Sequence, residues 1–222
     1  MKPKLVIYGA SGHAMVVADI IRLRDEYQIV GFLDDVNVEL HGTEFFGAPV
    51  LGGREQLDIL QQIDVKHLIL AFGDCDARLR LADSVLSKGF SLATVIHPQS
   101  SVAAGVSVLP GTVVKSMAVI EPGAKIKQNV IIGACAYIGH GCIIEEGADI
   151  SGGGNVGGRS IIGRGAWIGL GATVKDRVSI GERAQIGAGS VVLEDVSDGV
   201  VAIGAPARPL WRRGLWNPRQ GT

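Results

Sequence analysis

The sequence is poor in aromatic residues, in paired cysteines and in net charge, and each shortage removes a class of protein. Aromatics make up 5% of the chain, which argues against the ring-filled cores of ordinary helical or sandwich domains. Lys and Arg number 21 and Asp and Glu 22, a net charge of −1, so there is no electrostatic footprint for nucleic acid or an anionic membrane. The three cysteines, Cys75, Cys135 and Cys142, form neither a CxxC pair nor a framework spacing. They predict reduced, mostly buried thiols in a cytoplasmic protein, not a disulfide scaffold. No uncharged apolar run approaches the ~20 residues that span a bilayer. The opening MKPKLVIYGASG runs directly into a strand and a glycine turn, unlike a signal peptide. Histidine is scarce too, and of five only His140 falls in the repetitive second half. Three imidazoles per zinc are wanting there, so no metal is expected.

What the chain has in excess is glycine, 32 of 222 residues, and a repeat. From Val102, every sixth residue as far as Val192 is Ile or Val, without an insertion or a slip. Two positions earlier the residue is usually small, as at Ala118, Ala136, Cys142, Ala148, Ser160 and Ala172. Six residues make one short strand and a turn, so three hexapeptides close a triangular coil whose successors stack at roughly 4.8 Å. The β-branched residue points inward onto its equivalents, the small one fits the corner, and glycines such as Gly133, Gly139, Gly163 and Gly187 relieve the turns. A helix would need a period near 3.6, which the pattern lacks. The repeat predicts a parallel β-helix over residues 93–209, followed by a C-terminal tail, 210–222. Two readings of the tail stand side by side, a cap over the last coil through Trp211 and Trp216 and a disordered end.

The first 92 residues read differently. KLVIY (Lys4–Tyr8) is an apolar strand ending in GASGHA, followed by a helix over Met15–Arg24, a strand over Gln28–Leu33 and the pair Asp34–Asp35. A further strand, His67–Phe72, ends in Gly73–Asp74 and leads into a helix from about Arg78 to Lys88. This is the βαβ order of a small Rossmann-like parallel sheet, whose ligands sit at the carboxyl ends of its strands. Gly9, Ser11, Gly12 and His13, Asp34 and Asp35, and Gly73 and Asp74 all fall there. Helix-start amides can hold a phosphate, and an acidic residue after the second strand can accept from a ribose or a base edge. The unit is too short for a dinucleotide domain, so a mononucleotide carrying a sugar fits better than NAD.

GxxGHA, FLDD and AFGDCDAR, followed by a hexapeptide helix with IHP at its start and IGAPAR at its end, resemble the nucleotide-sugar N-acetyltransferase and sialic acid O-acetyltransferase family over nearly the whole chain. The resemblance implies a left-handed β-helix, a homotrimer with active sites between subunits, acetyl-CoA along the helix groove and a nucleotide-linked amino sugar held by residues 1–92. It implies that His140, in YIGHGC, is the catalytic base and that the Gly158 N–H meets the thioester oxygen. Leu170 and Ala188 correspond to the pantetheine channel. Asp149 stands where the family has a second histidine near the coenzyme, and is placed with the acetyl-CoA contacts. Gly141 replaces the carboxylate that usually follows the base, and Gly133 an Asn that contacts sugar in some members. Orientation of His140 would then fall to Glu145, Glu146 or Asp149.

The expected activity is acetyl transfer from acetyl-CoA to the amino group of a nucleotide-linked deoxyamino sugar, a bacterial glycan precursor. Two alternatives are an O-acetyltransferase of sialic-acid-type sugars and a non-catalytic solenoid scaffold.

Overall fold

The computed structural model of the chain describes residues 2–210; the expected tail beyond them, with Trp211 and Trp216, lies outside the described residues. The N-terminal part contains β1 (Lys4–Tyr8), α1 (Gly12–Arg24), β2 (Gln28–Leu33), β3 (Glu44–Phe45), β4 (Ala48–Gly52), α2 (Leu57–Gln62), β5 (His67–Leu70), α3 (Cys75–Ser87) and β6 (Ser91–Leu92). The strands form one sheet in the order β3-β4-β2-β1-β5-β6, parallel except for the β3–β4 pair. Alternation on β1 explains the two layers. Leu5 and Ile7 face Ala14, Val17 and Ile21 of α1, while Val6 and Tyr8 face Leu57 and Leu60 of α2 and Ala82 and Val85 of α3.

Two helices begin earlier than the periodicity predicts. The first starts at Gly12, directly off the β1 turn. The third starts at Cys75 because the Asp74 side chain caps it, accepting from the Ala77 N–H at 2.9 Å. β4 and α2 are also not predicted by the spacing of residues. Ala48–Gly52 carries Pro49, which counts against a strand, and α2 is a six-residue helix, too short for a 3.6-residue period to show.

Residues 95–203 coil into a triangular solenoid with three parallel sheets. Face 1 runs from Val95–Ile96 to Val201–Ile203, face 2 from Ser101–Val102 to Val191–Val192 and face 3 from Ser107–Val108 to Ser179–Ile180. Partners are one coil of eighteen residues apart, as in Val119↔Tyr137↔Asn155. The Ile and Val column fills the core together with Ala118, Ala136, Cys142, Ala148 and Ala172. Each Ile or Val of the column that is wholly removed from water contributes roughly 1.5–3 kcal/mol. The final coil is shorter: Ile180 bridges Val196 and Gln185 pairs Val201, two residues short of the repeat.

The glycines have a cause other than the one the sequence suggested. Gly133 and Gly139 do not hold positive φ; a Cβ on Gly133 would stand 2.4 Å from the Gly152 nitrogen, and on Gly139 2.6 Å from that of Gly158. Close stacking of coils demands them. The left-handed residue of each corner comes two positions later, and there Asn129, Cys135 and Arg159 serve as well as Gly141.

The two parts are joined by packing and by one buried arginine. Val95 and Val113 of face 1 lie in the α1 cluster. Arg78, with no solvent exposure, donates to the carbonyls of Gly147 at 2.7 Å, Asn129 at 3.2 Å and Phe72 at 3.2 Å. The Asn129 amide returns a bond to the Arg78 carbonyl at 3.1 Å. A buried cation is thus held by carbonyl dipoles of the solenoid corner between faces 3 and 1.

Candidate active site

The carboxyl ends of β1, β2 and β5 open on a cleft of about 630 Å³. Gly9 makes the turn off β1 with φ +119°, and a Cβ there would meet the Ala71 carbonyl oxygen at 2.7 Å. Ser11 precedes α1 without capping it by its side chain. Asp34 is turned into the protein. Its oxygens accept from the N–H groups of Ala10 at 2.6 Å, Val36 at 2.8 Å and Asn37 at 2.7 Å, and from the Asn37 amide at 3.2 Å. Burial opposes its charge, but these bonds outweigh it and hold the carboxyl below the usual range. Its role is to fasten the β2 loop to the glycine turn, so its carboxylate offers little to a ligand.

Asp35 faces the cleft within a network. It accepts from the Tyr8 hydroxyl at 2.7 Å and from Arg54 Nε at 3.0 Å and Nη2 at 2.7 Å. Burial again opposes, and the Arg54 and Tyr8 bonds hold its carboxyl low; burial and then Asp35 push the Tyr8 phenol up. Of the eight residues expected to hold the nucleotide, Gly9, Ser11, Asp34, Asp35 and Asp74 line the cleft. Gly12, His13 and Gly73 do not. The lining that no sequence motif marks is Tyr8, Val36, Asn37, Phe72, Ala77, Arg80, Leu81 and Ser84. Most come from one face of α3 or from a loop without periodicity.

His13 instead approaches face 1. Burial, then Lys115, then Arg78 push its imidazole down to about 3, and its Nε2 is closed from solvent with no hydrogen-bond partner among the described residues. Burial also lowers Lys115, with the Asp149 carboxylate pulling the other way. Asp149, 8% exposed, lies on face 1 between Ile131 and Trp167.

His140 occupies the corner between faces 2 and 3, with a side chain 60% exposed. Its ring lies against Gly158 of the next coil, where a Cβ would stand 2.5 Å from Cε1 and 2.8 Å from Nδ1. No backbone bond among the described residues takes up the Gly158 N–H. The carboxylate that reaches His140 comes from the coil below: Glu121 Oε2 accepts from the His140 backbone N–H at 3.2 Å and lies 3.6 Å from Nδ1. This corrects the expectation that Glu145, Glu146 or Asp149 would orient the base. Glu145 and Glu146 belong to the next corner, where Glu146 pairs with Arg164 at 3.1 Å, and Asp149 faces Lys115. The eighteen-residue coil sets residue 122 beneath 140, so the register itself pointed at Glu121.

Leu170 and Ala188 sit one coil apart on the corner between faces 1 and 2, both exposed, tied by the Gly189 N–H to the Leu170 carbonyl at 2.8 Å. Face 2 therefore separates His140 from this ridge, and α1 packs on face 1. Among the described residues no group of three or more metal-type ligands gathers, and no helix is long and apolar enough to cross a membrane.

Comparison with known proteins gives consistent matches. The family described as PglD N-terminal domain matches residues 4–85, and the bacterial transferase hexapeptide (six repeats) matches residues 159–194. A variant of perosamine N-acetyltransferase from Caulobacter crescentus, solved with CoA and GDP-perosamine, is 30% identical over 94% of this chain and 97% of its own, with a TM-score of 0.89. The acetyltransferase domain of PglB from Neisseria gonorrhoeae, solved with acetyl coenzyme A, is 32% identical over 95% of this chain and 100% of its own, with a TM-score of 0.88. WeeI from Acinetobacter baumannii is 26% identical over 94% and 100%, with a TM-score of 0.84. No curated protein matches the sequence.

Proposed function

The chain belongs to the hexapeptide-repeat nucleotide-sugar N-acetyltransferases, and from that premise we propose that His140 is the general base of its acetyl transfer. The solenoid is the left-handed β-helix of that family, and the protein is an acetyl-CoA-dependent sugar N-acetyltransferase. Its acceptor is the amino group of a nucleotide-linked deoxyamino sugar. The observation that carries the assignment of the base is the seating of His140 on Gly158, with the Gly158 N–H left open beside it.

In the reaction the sugar nitrogen forms a bond to the thioester carbon, and the carbon–sulfur bond breaks. His140 takes the proton that the nitrogen sheds and returns it to the departing thiolate of CoA. The Gly158 N–H donates to the carbonyl oxygen as negative charge collects there. Leu170 and Ala188 present the apolar ridge along which the pantetheine arm lies. A neutral amine is already a good nucleophile, which suits a site with one exposed imidazole.

Residues 1–92 hold the nucleotide and residues 93–209 the chemistry. Gly9 and Ser11, at the turn into α1, receive the phosphates, and Asp35 with Arg54 forms the polar end of the cleft. His140 and this cleft lie on different sides of the solenoid, which supports a homotrimer in which one subunit's His140 serves its neighbour's cleft. The enzyme works in the cytoplasm, where acetyl-CoA is at hand.

Thiol release from acetyl-CoA, followed with UDP-, GDP- and dTDP-linked 4-amino sugars and with free sialic acid, tests the assignment. Turnover of one nucleotide amino sugar, lost several-hundred-fold or more in His140→Ala, is expected. Turnover of sialic acid alone would transfer the protein to the O-acetyltransferases.

A further inference from the structure

His140 lacks the carboxylate that the family places directly after its base, because residue 141 is glycine. We propose that Glu121, supplied from the preceding coil, is the positioning residue that fixes the tautomer of His140. The inference rests on the reading of His140 as base.

Three observations support it. The backbone of Glu121 is fixed by its N–H bond to the Ile138 carbonyl at 3.0 Å, so its side chain starts from a rigid point one coil below the base. Oε2 accepts from the His140 N–H at 3.2 Å and stands 3.6 Å from Nδ1. That second distance is ~0.7 Å longer than a charge-assisted N–H···O bond, and contacts of this kind lengthen in the unliganded state and tighten in the complex. Gly158 lies against one side of the imidazole, and the Glu121 carboxylate stands at its Nδ1. The phenol of Tyr137 neighbours Glu121, and burial first and then that carboxylate push it up. Tyr137, Glu121 and His140 thus form a chain of contacts along one edge of face 2. A carboxylate at Nδ1 keeps the proton there and leaves Nε2 with the lone pair that accepts the proton of the amine.

The corner also shows why the carboxylate can have moved. Residue 141 has φ +65°, a conformation that Asn129 and Arg159 adopt at the corresponding corners. A side chain at 141 is therefore permitted, and its absence is matched by a carboxylate reaching from the coil beneath.

The first test needs no substrate. In protein labelled with ¹⁵N at histidine, with the His140 signal assigned through His140→Asn, the neutral imidazole is expected as the Nδ1–H tautomer. In Glu121→Gln it is expected to move towards Nε2–H, the form free imidazole prefers. An unchanged tautomer population overturns the inference. The second test is kinetic, with acetyl-CoA and a GDP- or UDP-linked 4-amino sugar. Glu121→Gln is expected to lower kcat about 10- to 100-fold, as loss of an orienting partner does, with KM for acetyl-CoA within about twofold. Gly141→Asp in the Glu121→Gln background is expected to regain most of the loss. A wild-type kcat in Glu121→Gln, or no gain from Gly141→Asp, rules against the carboxylate. Turnover that survives in His140→Asn overturns the base assignment instead, a separate result, because the tautomer measurement still reports on Glu121.

Discussion

The imidazole of His140 rests on the α-carbon side of Gly158, so closely that a methyl group there would stand 2.5 Å from Cε1 and 2.9 Å from Nε2. Gly158 does not hold a positive φ, so alanine is compatible with its backbone and acts on the ring alone. Gly158→Ala is expected to fold normally and to lower kcat about 100-fold, through a displaced base and a shifted oxyanion donor. Steady-state kinetics beside a melting curve checks this; a full kcat would remove Gly158 from the site.

Mixed oligomers test the division of the site between subunits. His140→Asn lacks the base, and Ser84→Trp fills the nucleotide-side cleft that Ser84 lines. Each alone is expected to be inactive. Coexpressed in equal amounts, they should regain about a quarter of wild-type turnover, since random assembly gives each site one intact base and one intact cleft that often. No regain would place both halves of the site in one chain.

Two glycine substitutions separate the two uses of glycine in the coils. Gly133→Ala forces a Cβ to 2.4 Å from the Gly152 nitrogen, whereas at Gly171, with φ +64°, nothing lies within 4 Å. Gly171→Ala is expected to cost about 1 kcal/mol, the usual left-handed penalty. Gly133→Ala should cost about 3 kcal/mol or more, because backbone must move. Denaturant titration of both variants decides, and equal losses would contradict the stacking argument.

Acid stability should report on His13. Its folded-state imidazole is pushed down to about 3, by burial first and then by Lys115 and Arg78, against about 6.5 in an unfolded chain. The unfolded chain therefore takes up a proton that the folded one refuses. Stability present above pH 6.5 is lost as the pH falls towards 3. His13→Gln removes this slope, so wild type should lose roughly 1–3 kcal/mol more than the variant across that window, allowing for partial solvent screening. Parallel pH profiles for the two proteins would show that His13 is not held neutral.

Much of this site was legible because the solenoid turns sequence distance into spatial distance. A period of six fixes the inward column, and three periods fix the coil, so His140 and Gly158 are neighbours by counting alone. The same counting reaches Glu121, which meets His140 from the coil below and not from the residues that follow it. The cleft at the carboxyl ends of β1, β2 and β5 was less legible. Asp34 and Asp35 are adjacent and chemically identical, yet one closes onto the amides of Ala10, Val36 and Asn37 while the other faces Arg54 and Tyr8. That difference depends on where the β2 loop folds back, which no local pattern encodes.

By itself the sequence determined the solenoid, its eighteen-residue coil, the inward Ile and Val column and the corner that carries His140, because a strict period leaves a β-branched chain one way to bury itself. Tertiary structure alone decided that Glu121 is the carboxylate beside His140, and that Asp34 closes onto backbone amides while Asp35 meets Arg54 and Tyr8. It also decided that α1 covers face 1 while His140 stands on the far corner. Those outcomes depend on side-chain direction and on packing between segments distant in the chain, and neither is written in the spacing of residues.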